Sequence, residues 1–349
     1  MVATISDIGE DGLIEYIFNT IHESEFDDTI TESLNGLAPN SLLVSNTDML
    51  VSTTDVPEQM NLFQAGRKAI VMATSDLLVK GVKPSWASIA LGLPRDLLFE
   101  GARGFSGLIQ GLYEGCKEFG IRYRGGDLNT TKELIVSVSV TGYIDPIKYI
   151  SRSGAKAGDY VYVNGEFGYT GVGLSLLLKN NINKSGLSEK FINKSIDSVL
   201  NARISGAEAR YLSEKGYASA SCDSSDGLHR TLQAIAKASG VGFQIHLDVF
   251  VKPELLTFSM NNQISLEKLI VGAGEEWIHV FCINPQCKDS LKNDLIDELQ
   301  KHNSEKTPNS QFSLIEIGTC TNEGGVIRYY FKGKEMNIDQ EALGYVHFK

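Results

Sequence analysis

Aspartates recur in this chain at positions where a rigid scaffold would present them. Asp223 and Asp226 bracket two serines in ASCDSSDGLHRTL, Asp48 closes SNTD, Asp76 closes TSD, Asp127 follows two glycines in YRGGDLNTT, and Asp27 and Asp28 stand side by side. Oxygen-only donors of this kind suit Mg²⁺, a hard cation usually held by a few carboxylates together with substrate phosphates. The chemistry they could support is phosphate handling, in which positioning and charge neutralisation do most of the work. Each aspartate alone also has a plainer job open to it, because Asp is favoured in turns and at helix starts. Ser225 or Asp226, for instance, could cap the helix that follows Gly227. Only convergence in space separates the two readings.

The neighbours of these carboxylates sharpen the question. Gly125 and Gly126 could let backbone N–H groups approach an anion while Asp127 holds its counter-ion. Arg152, in SRSGAKAGD, could clamp a phosphate through its planar fork or simply make a surface ion pair. No G-x-x-x-x-G-K-[ST] loop occurs and no G-x-G-x-x-G follows a strand, so neither a P-loop nor a dinucleotide fold is supported. GYTGVG opens a helix and reads as close packing. The six histidines form no H-x-x-x-H pair, and the five cysteines have no C-x-x-C spacing, so they read as reduced thiols. A net charge of -11 argues against general nucleic-acid binding, which relies on Lys and Arg against phosphates. A polyanionic ligand would need metal help.

The elements that must position these groups follow from periodicity. Residues 9–22 place Leu13, Ile14, Ile17, Phe18 and Ile21 at helical spacing. SLLVSNTDMLV reads as a buried strand ending at Asp48, and a helix runs from Pro57 toward Gly81 with Asp76 near its end. WASIALGLP is a strand, residues 97–120 a glycine-containing helix, YRGGDLNTT a loop, and ELIVSVSVTGYI a strand. The pattern restarts near residue 149, where a domain boundary is expected. Beyond it, helices over 168–180, 188–200, 204–215, 226–239 and 287–301 alternate with strands over 219–222, 243–247, 277–283, 313–319 and 326–331. The mixture is α+β in two domains, without the regular βα rhythm of a doubly wound sheet. At 349 residues with 42% hydrophobic content there is material for two cores. No apolar run approaches the roughly 20 residues that span a bilayer, and no signal core opens the chain, so a cytoplasmic protein is expected.

In order, the blocks GEDGLI, DD, SNTDMLV, SDLLVKGVKP, GGD, SRSGAKAGD, DSSDGL, GEEW and GYVHF resemble the signature blocks of the thiamine-monophosphate kinase family. The resemblance covers essentially the whole chain. It implies a PurM-like, aminoimidazole-ribonucleotide-synthetase-like fold: an N-terminal sheet domain over 1–149 that binds ATP and Mg²⁺ and forms a homodimer, and a C-terminal α/β domain over 150–349. The implied reaction is direct, Mg²⁺-assisted transfer of the γ-phosphate of ATP to thiamine monophosphate, giving thiamine diphosphate without a phospho-enzyme and without a catalytic side chain. By the same resemblance Asp28, Asn46, Thr47, Asp48, Asp76, Asp127, Asp223 and Asp226 are metal ligands. Gly126, Asp127, Arg152 and Ser225 are nucleotide contacts, and Glu275 and Tyr345 hold the acceptor.

The implied chemistry answers a physical need. Donor and acceptor are both phosphates, and two unit charges at 4 Å repel by about 4 kcal/mol at an effective dielectric of 20. Several Mg²⁺ ions would offset that, and an already ionised acceptor oxygen needs no general base. The chain also departs from the family pattern. Phe26 stands before Asp27 where glycine is usual, Asn46 replaces a serine, Asp55 stands where an acceptor-contacting histidine is common, and Trp277 replaces a tyrosine. Two of these changes, at Asp55 and Trp277, cluster on the acceptor side. Two rivals follow: another ATP-dependent enzyme of the superfamily, of the purine-pathway synthetase type, and a nucleotide-binding regulatory protein without turnover.

Overall fold

The computed structural model describes residues 3–22, 40–294, 312–338 and 344. The chain divides into two compact units, Met1–Leu77 with Val82–Ile147, and Leu78–Gly81 with Lys148–Lys349. A four-residue piece of SDLLVKG therefore belongs with the second unit, although its sequence neighbours belong to the first. Among the described residues no helix is long and apolar enough to cross a membrane.

The first unit is built on one sheet. Strands β1 (Leu42–Val51), β2 (Lys83–Leu93), β3 (Arg122–Thr130) and β4 (Ile135–Ile144) lie in the order β1-β4-β2-β3. β4 pairs antiparallel with β1 and β2, whereas β2 and β3 run parallel. The alternation in IVSVSV sets the two faces: Val136, Val138 and Val140 are buried, and the serines between them point the other way. Helices α1 (Ile5–Ile21), α2 (Ser52–Asp55), α3 (Leu62–Leu78) and α4 (Phe105–Glu118) complete the unit. A Cβ at Gly111 of α4 would overlap the Phe63 carbonyl of α3. The glycine that weakens the helix by propensity thus lets two helix backbones touch.

Three expectations for this unit need correction. YRGGDLNTT is strand, not loop, because its backbone groups are taken up by the parallel ladder with β2. β1 continues past Asp48 to Val51 as an edge strand, and only Leu50 in it is buried: Leu43 is 62% and Met49 54% exposed. The helix expected from residue 97 begins at Phe105, after a turn in which Gly101 takes φ 90°.

The second unit carries a seven-stranded sheet. Strands β5 (Tyr160–Val163), β6 (Ala218–Ser224), β7 (Gly242–His246), β8 (Ile278–Ile283), β9 (Ile315–Thr321), β10 (Ile327–Phe331) and β11 (Lys334–Glu335) lie in the order β11-β10-β7-β9-β5-β8-β6. Only β7 and β10 are parallel. Helices are α5 (Tyr169–Leu178), α6 (Glu189–Leu200), α7 (Ala207–Lys215), α8 (Leu228–Ser239), α9 (Pro253–Asn262) and α10 (Leu266–Ile270). The sheet has a core on each face. Val161, Val163, Val280 and Cys282 pack with Phe167, Leu228, Leu232 and Phe258. Their strand neighbours Tyr162, Phe281 and Ile283 pack with Val79, Ala209 and Leu212 on the other side. Helices α9 and α10 go beyond the sequence expectation; α10 is only five residues long, too short to show a period. The helix expected over 287–301 runs into residues outside those described. All five cysteines are free thiols, as expected.

Candidate functional site

In the first unit the polar run of β1 meets α3. Asn46 Nδ2 donates to Asp76 Oδ2 at 2.9 Å and lies 3.4 Å from the Ala73 carbonyl oxygen, so the block SNTD and the block TSD are joined by side chains. Register places Asn46 and Asp48 in cross-strand rows with Val140 and Val138, the buried face of the sheet. Thr47 belongs to the opposite face, where its hydroxyl pairs with Ser139 Oγ at 2.8 Å. Asp48 Oδ1 accepts from the Met49 N–H at 2.8 Å. Asp55 Oδ2 accepts from the Val51 N–H at 2.6 Å and closes the turn after β1.

Asp127 stands on the other edge of the same sheet. It pairs with Ala90, in the row that continues through Ser137 to Met49. Three strand spacings separate β1 from β3, about 14 Å along the sheet. The glycines before Asp127 have a reason in the fold itself: a Cβ at Gly126 would overlap the Ile89 carbonyl, and Gly125 sits at φ 143°. A 580 Å³ cavity opens there, lined by Ile14, Phe18, Arg124, Gly126 and Asp127 among others. Asp28 lies outside the described residues.

In the second unit three separate pieces of sequence converge. Asp223, 6% exposed, is the penultimate residue of β6, opposite His279 of β8. The end of β6 and the bend after it then accept the GEEW segment through the backbone: the Glu275 N–H donates to the Ser225 carbonyl at 2.6 Å and the Trp277 N–H to the Ser224 carbonyl at 2.9 Å. Gly344 packs against Asp226 and Arg230, where any side chain would collide. Tyr345, the next residue, lies outside those described. Arg152 is exposed in a loop whose neighbour Ser151 accepts from the Ser221 N–H at 2.9 Å, two residues before Asp223.

The capping expectation for this block is corrected. The N-cap of α8 is Gly227 at φ 98°, with no side-chain cap, and the His229 N–H bonds instead to the Val271 carbonyl. A Cβ on Gly227 would crowd the Ala273 and Val271 carbonyls, so glycine alone fits. Neither Ser225 nor Asp226 is thereby the N-cap residue of α8.

Buried polar groups back this corner, and sequence reasoning passed over them. Lys80 donates to the Ser221 carbonyl of β6. His279 is fully buried, and its ring is held neutral because burial, helped by the Lys80 charge, lowers its pKa to about 3. Glu276 accepts from the Gly168 N–H at 3.0 Å, at the start of α5. The only sequence signals were a lysine inside the apolar run LLVKGV, and a histidine and glutamates beside strand residues. Among the described residues no three His, Cys, Asp or Glu side chains converge closely enough to cage a metal by themselves. What is present, oxygen donors in ones and twos, fits a cation that completes its shell with water and phosphate oxygens.

A model of the AIR synthase related protein N-terminal domain matches residues 31–144. The thiamine-monophosphate kinase of Nitrosopumilus maritimus is 35% identical over 311 residues, 88% of this chain and 89% of that one. Among solved structures, AaThiL complexed with AMPPCP and TMP is 24% identical, covers 100% of both chains and has a TM-score of 0.68. The hydrogenase maturation protein HypE of E. coli reaches a TM-score of 0.71 at 18% identity, covering 93% of this chain and 95% of its own, a likeness of fold alone. Sequence therefore separates what the fold does not, and the chain belongs to the thiamine-monophosphate kinase family.

Proposed function

We propose that this protein transfers the γ-phosphoryl group of ATP to the phosphate of thiamine monophosphate, forming thiamine diphosphate and ADP. The carrying observation is the 35% identity to a thiamine-monophosphate kinase along 88% of the chain. AaThiL, a structure of the same fold, was solved in complex with AMPPCP and TMP. Mg²⁺, when bound, supplies the positive charge that lets two phosphates approach. Asn46, Thr47, Asp48, Asp76, Asp127, Asp223 and Asp226, with Asp28, are the residues proposed to hold it. Gly126, Asp127, Arg152 and Ser225 face the nucleotide, and Asp55, Glu275 and Tyr345 the acceptor. The two proposed domains, 1–149 and 150–349, then divide the work, the first carrying most of the metal ligands.

A homodimer through the first unit is part of this reading. Among the described residues β1 is an edge strand with exposed Leu43 and Met49, the kind of edge that proteins cover.

The test is direct. Purified protein incubated with ATP, Mg²⁺ and thiamine monophosphate is expected to accumulate thiamine diphosphate, and chelation with EDTA to stop it reversibly. ATP binding without any thiamine diphosphate would overturn the kinase reading in favour of a regulatory nucleotide binder.

A further inference from the structure

Glu275 and Trp277 share an unusual backbone. Both are non-glycine residues in the left-handed region, at φ 61° and φ 45°, with Glu276 between them. L-residues rarely rest there, and such conformations persist only where the surroundings over-determine them. Two of the constraints are the backbone bonds of Glu275 and Trp277 to Ser225 and Ser224. The third is Glu276 itself. Its side chain turns inward, only 7% exposed, and reaches the first turn of α5, where Oε1 accepts the Gly168 N–H. The N-terminus of a ten-residue helix offers N–H groups with no partner inside the helix, and a carboxyl is a good ligand for them. Glu276 also lines a 480 Å³ polar cavity with Asn164, Thr170 and Ser198.

We propose that Glu276 is a positioning residue of the acceptor site: by tying the GEEW segment to the start of α5, it holds Glu275 and Trp277 in the left-handed conformations that present them beside Ser225 and Asp226. This rests on the reading of Glu275 as an acceptor contact. With its two neighbours bonded through their N–H groups to Ser225 and Ser224, Glu276 is the member of the triplet whose side chain reaches the start of α5. Burial pushes its carboxyl well above the ordinary range. An amide can replace the carboxyl in this bond, since its oxygen accepts from Gly168 as well.

The chain has only two tryptophans, Trp86 and Trp277. A Trp86→Phe background therefore makes Trp277 its own reporter. Glu276→Ala is expected to red-shift the emission of ligand-free Trp277, and to raise the Michaelis constant for thiamine monophosphate about tenfold while that for ATP moves less than twofold. Glu276→Gln is expected to keep both near wild type. Should the alanine variant not fold, Glu276→Asp, which is one methylene short of Gly168, is expected to give the same shifts at smaller size. Unchanged emission and an unchanged acceptor constant in Glu276→Ala or Glu276→Asp would overturn the proposal, and so would an equal rise in both Michaelis constants. If the wild-type protein makes no thiamine diphosphate, the activity reading has failed, and the emission of the same variants still decides whether Glu276 holds the segment.

Discussion

The candidate residues of the two units are set in opposite ways. In the second unit, Asp223 and Glu276 are buried, and the DSSDG and GEEW segments are stitched by backbone bonds before any ligand arrives. In the first, Asp127 is exposed on one edge of a four-stranded sheet while Asn46, Asp48 and Asp76 lie toward the other. The first set of groups owes its places to the fold; the second is spread over a surface that only a ligand would draw together. Function and stability should therefore separate cleanly between the two.

The largest expected effect is on the exposed side. Asp127→Asn removes a charge from a position that supports no core, so thermal stability should move little, as surface substitutions usually do. If Asp127 neutralises phosphate charge, turnover should fall by about 100-fold, roughly 2.7 kcal/mol of transition-state stabilisation. Steady-state kinetics at saturating Mg²⁺ with a parallel melting curve decides it. Unchanged turnover would return Asp127 to the plainer role of a polar strand residue.

That contrast also marks what could be read from the sequence. IVSVSV announced its strand and both its faces, because alternation against one buried layer is a local signal. YRGGDLNTT did not, because its glycines look like a turn while the actual constraint is the Ile89 carbonyl across the ladder, a contact with a residue far away in the chain. The same applies to Gly227, which displaced the expected Ser225 or Asp226 cap for the sake of the Ala273 and Val271 carbonyls. The ordered aspartate blocks could be read along the chain, and the structure joins two of them through the Asn46–Asp76 hydrogen bond. Lys80, His279 and Glu276 were not, since burial gives them their importance and composition cannot show burial.

The braced side should reveal itself through pH. His229, second residue of α8, is buried with Nδ1 and the Tyr329 hydroxyl oxygen 2.8 Å apart. Burial, with a smaller push from Arg230, lowers its pKa from 6.5 to about 4. The unfolded chain therefore binds a proton that the folded one refuses, so stability is full above pH 6.5 and falls as pH drops toward 4. Between pH 6.5 and 5 this one group accounts for about 2 kcal/mol. Denaturant titrations across that range should show the loss in the wild type and a shallower slope in His229→Gln. An identical slope in the variant would mean that the ring is hydrated in the folded state.

The smallest expected effect tests a residue that the first unit asks to do two things. Asp55 closes the turn after β1 by accepting the Val51 N–H, and its carbonyl accepts from buried Lys68 Nζ at 2.6 Å. An asparagine there can still accept from Val51 through its amide oxygen, so Asp55→Asn changes the charge and leaves the turn. The acceptor carries a thiazolium cation, which a nearby carboxylate attracts by about 0.5–1 kcal/mol when water screens the pair. Asp55→Asn should therefore raise the Michaelis constant for thiamine monophosphate by about two- to fivefold and leave that for ATP alone. A constant that does not move would assign Asp55 to the turn only, and would shift acceptor recognition wholly to the pre-built corner of the second unit.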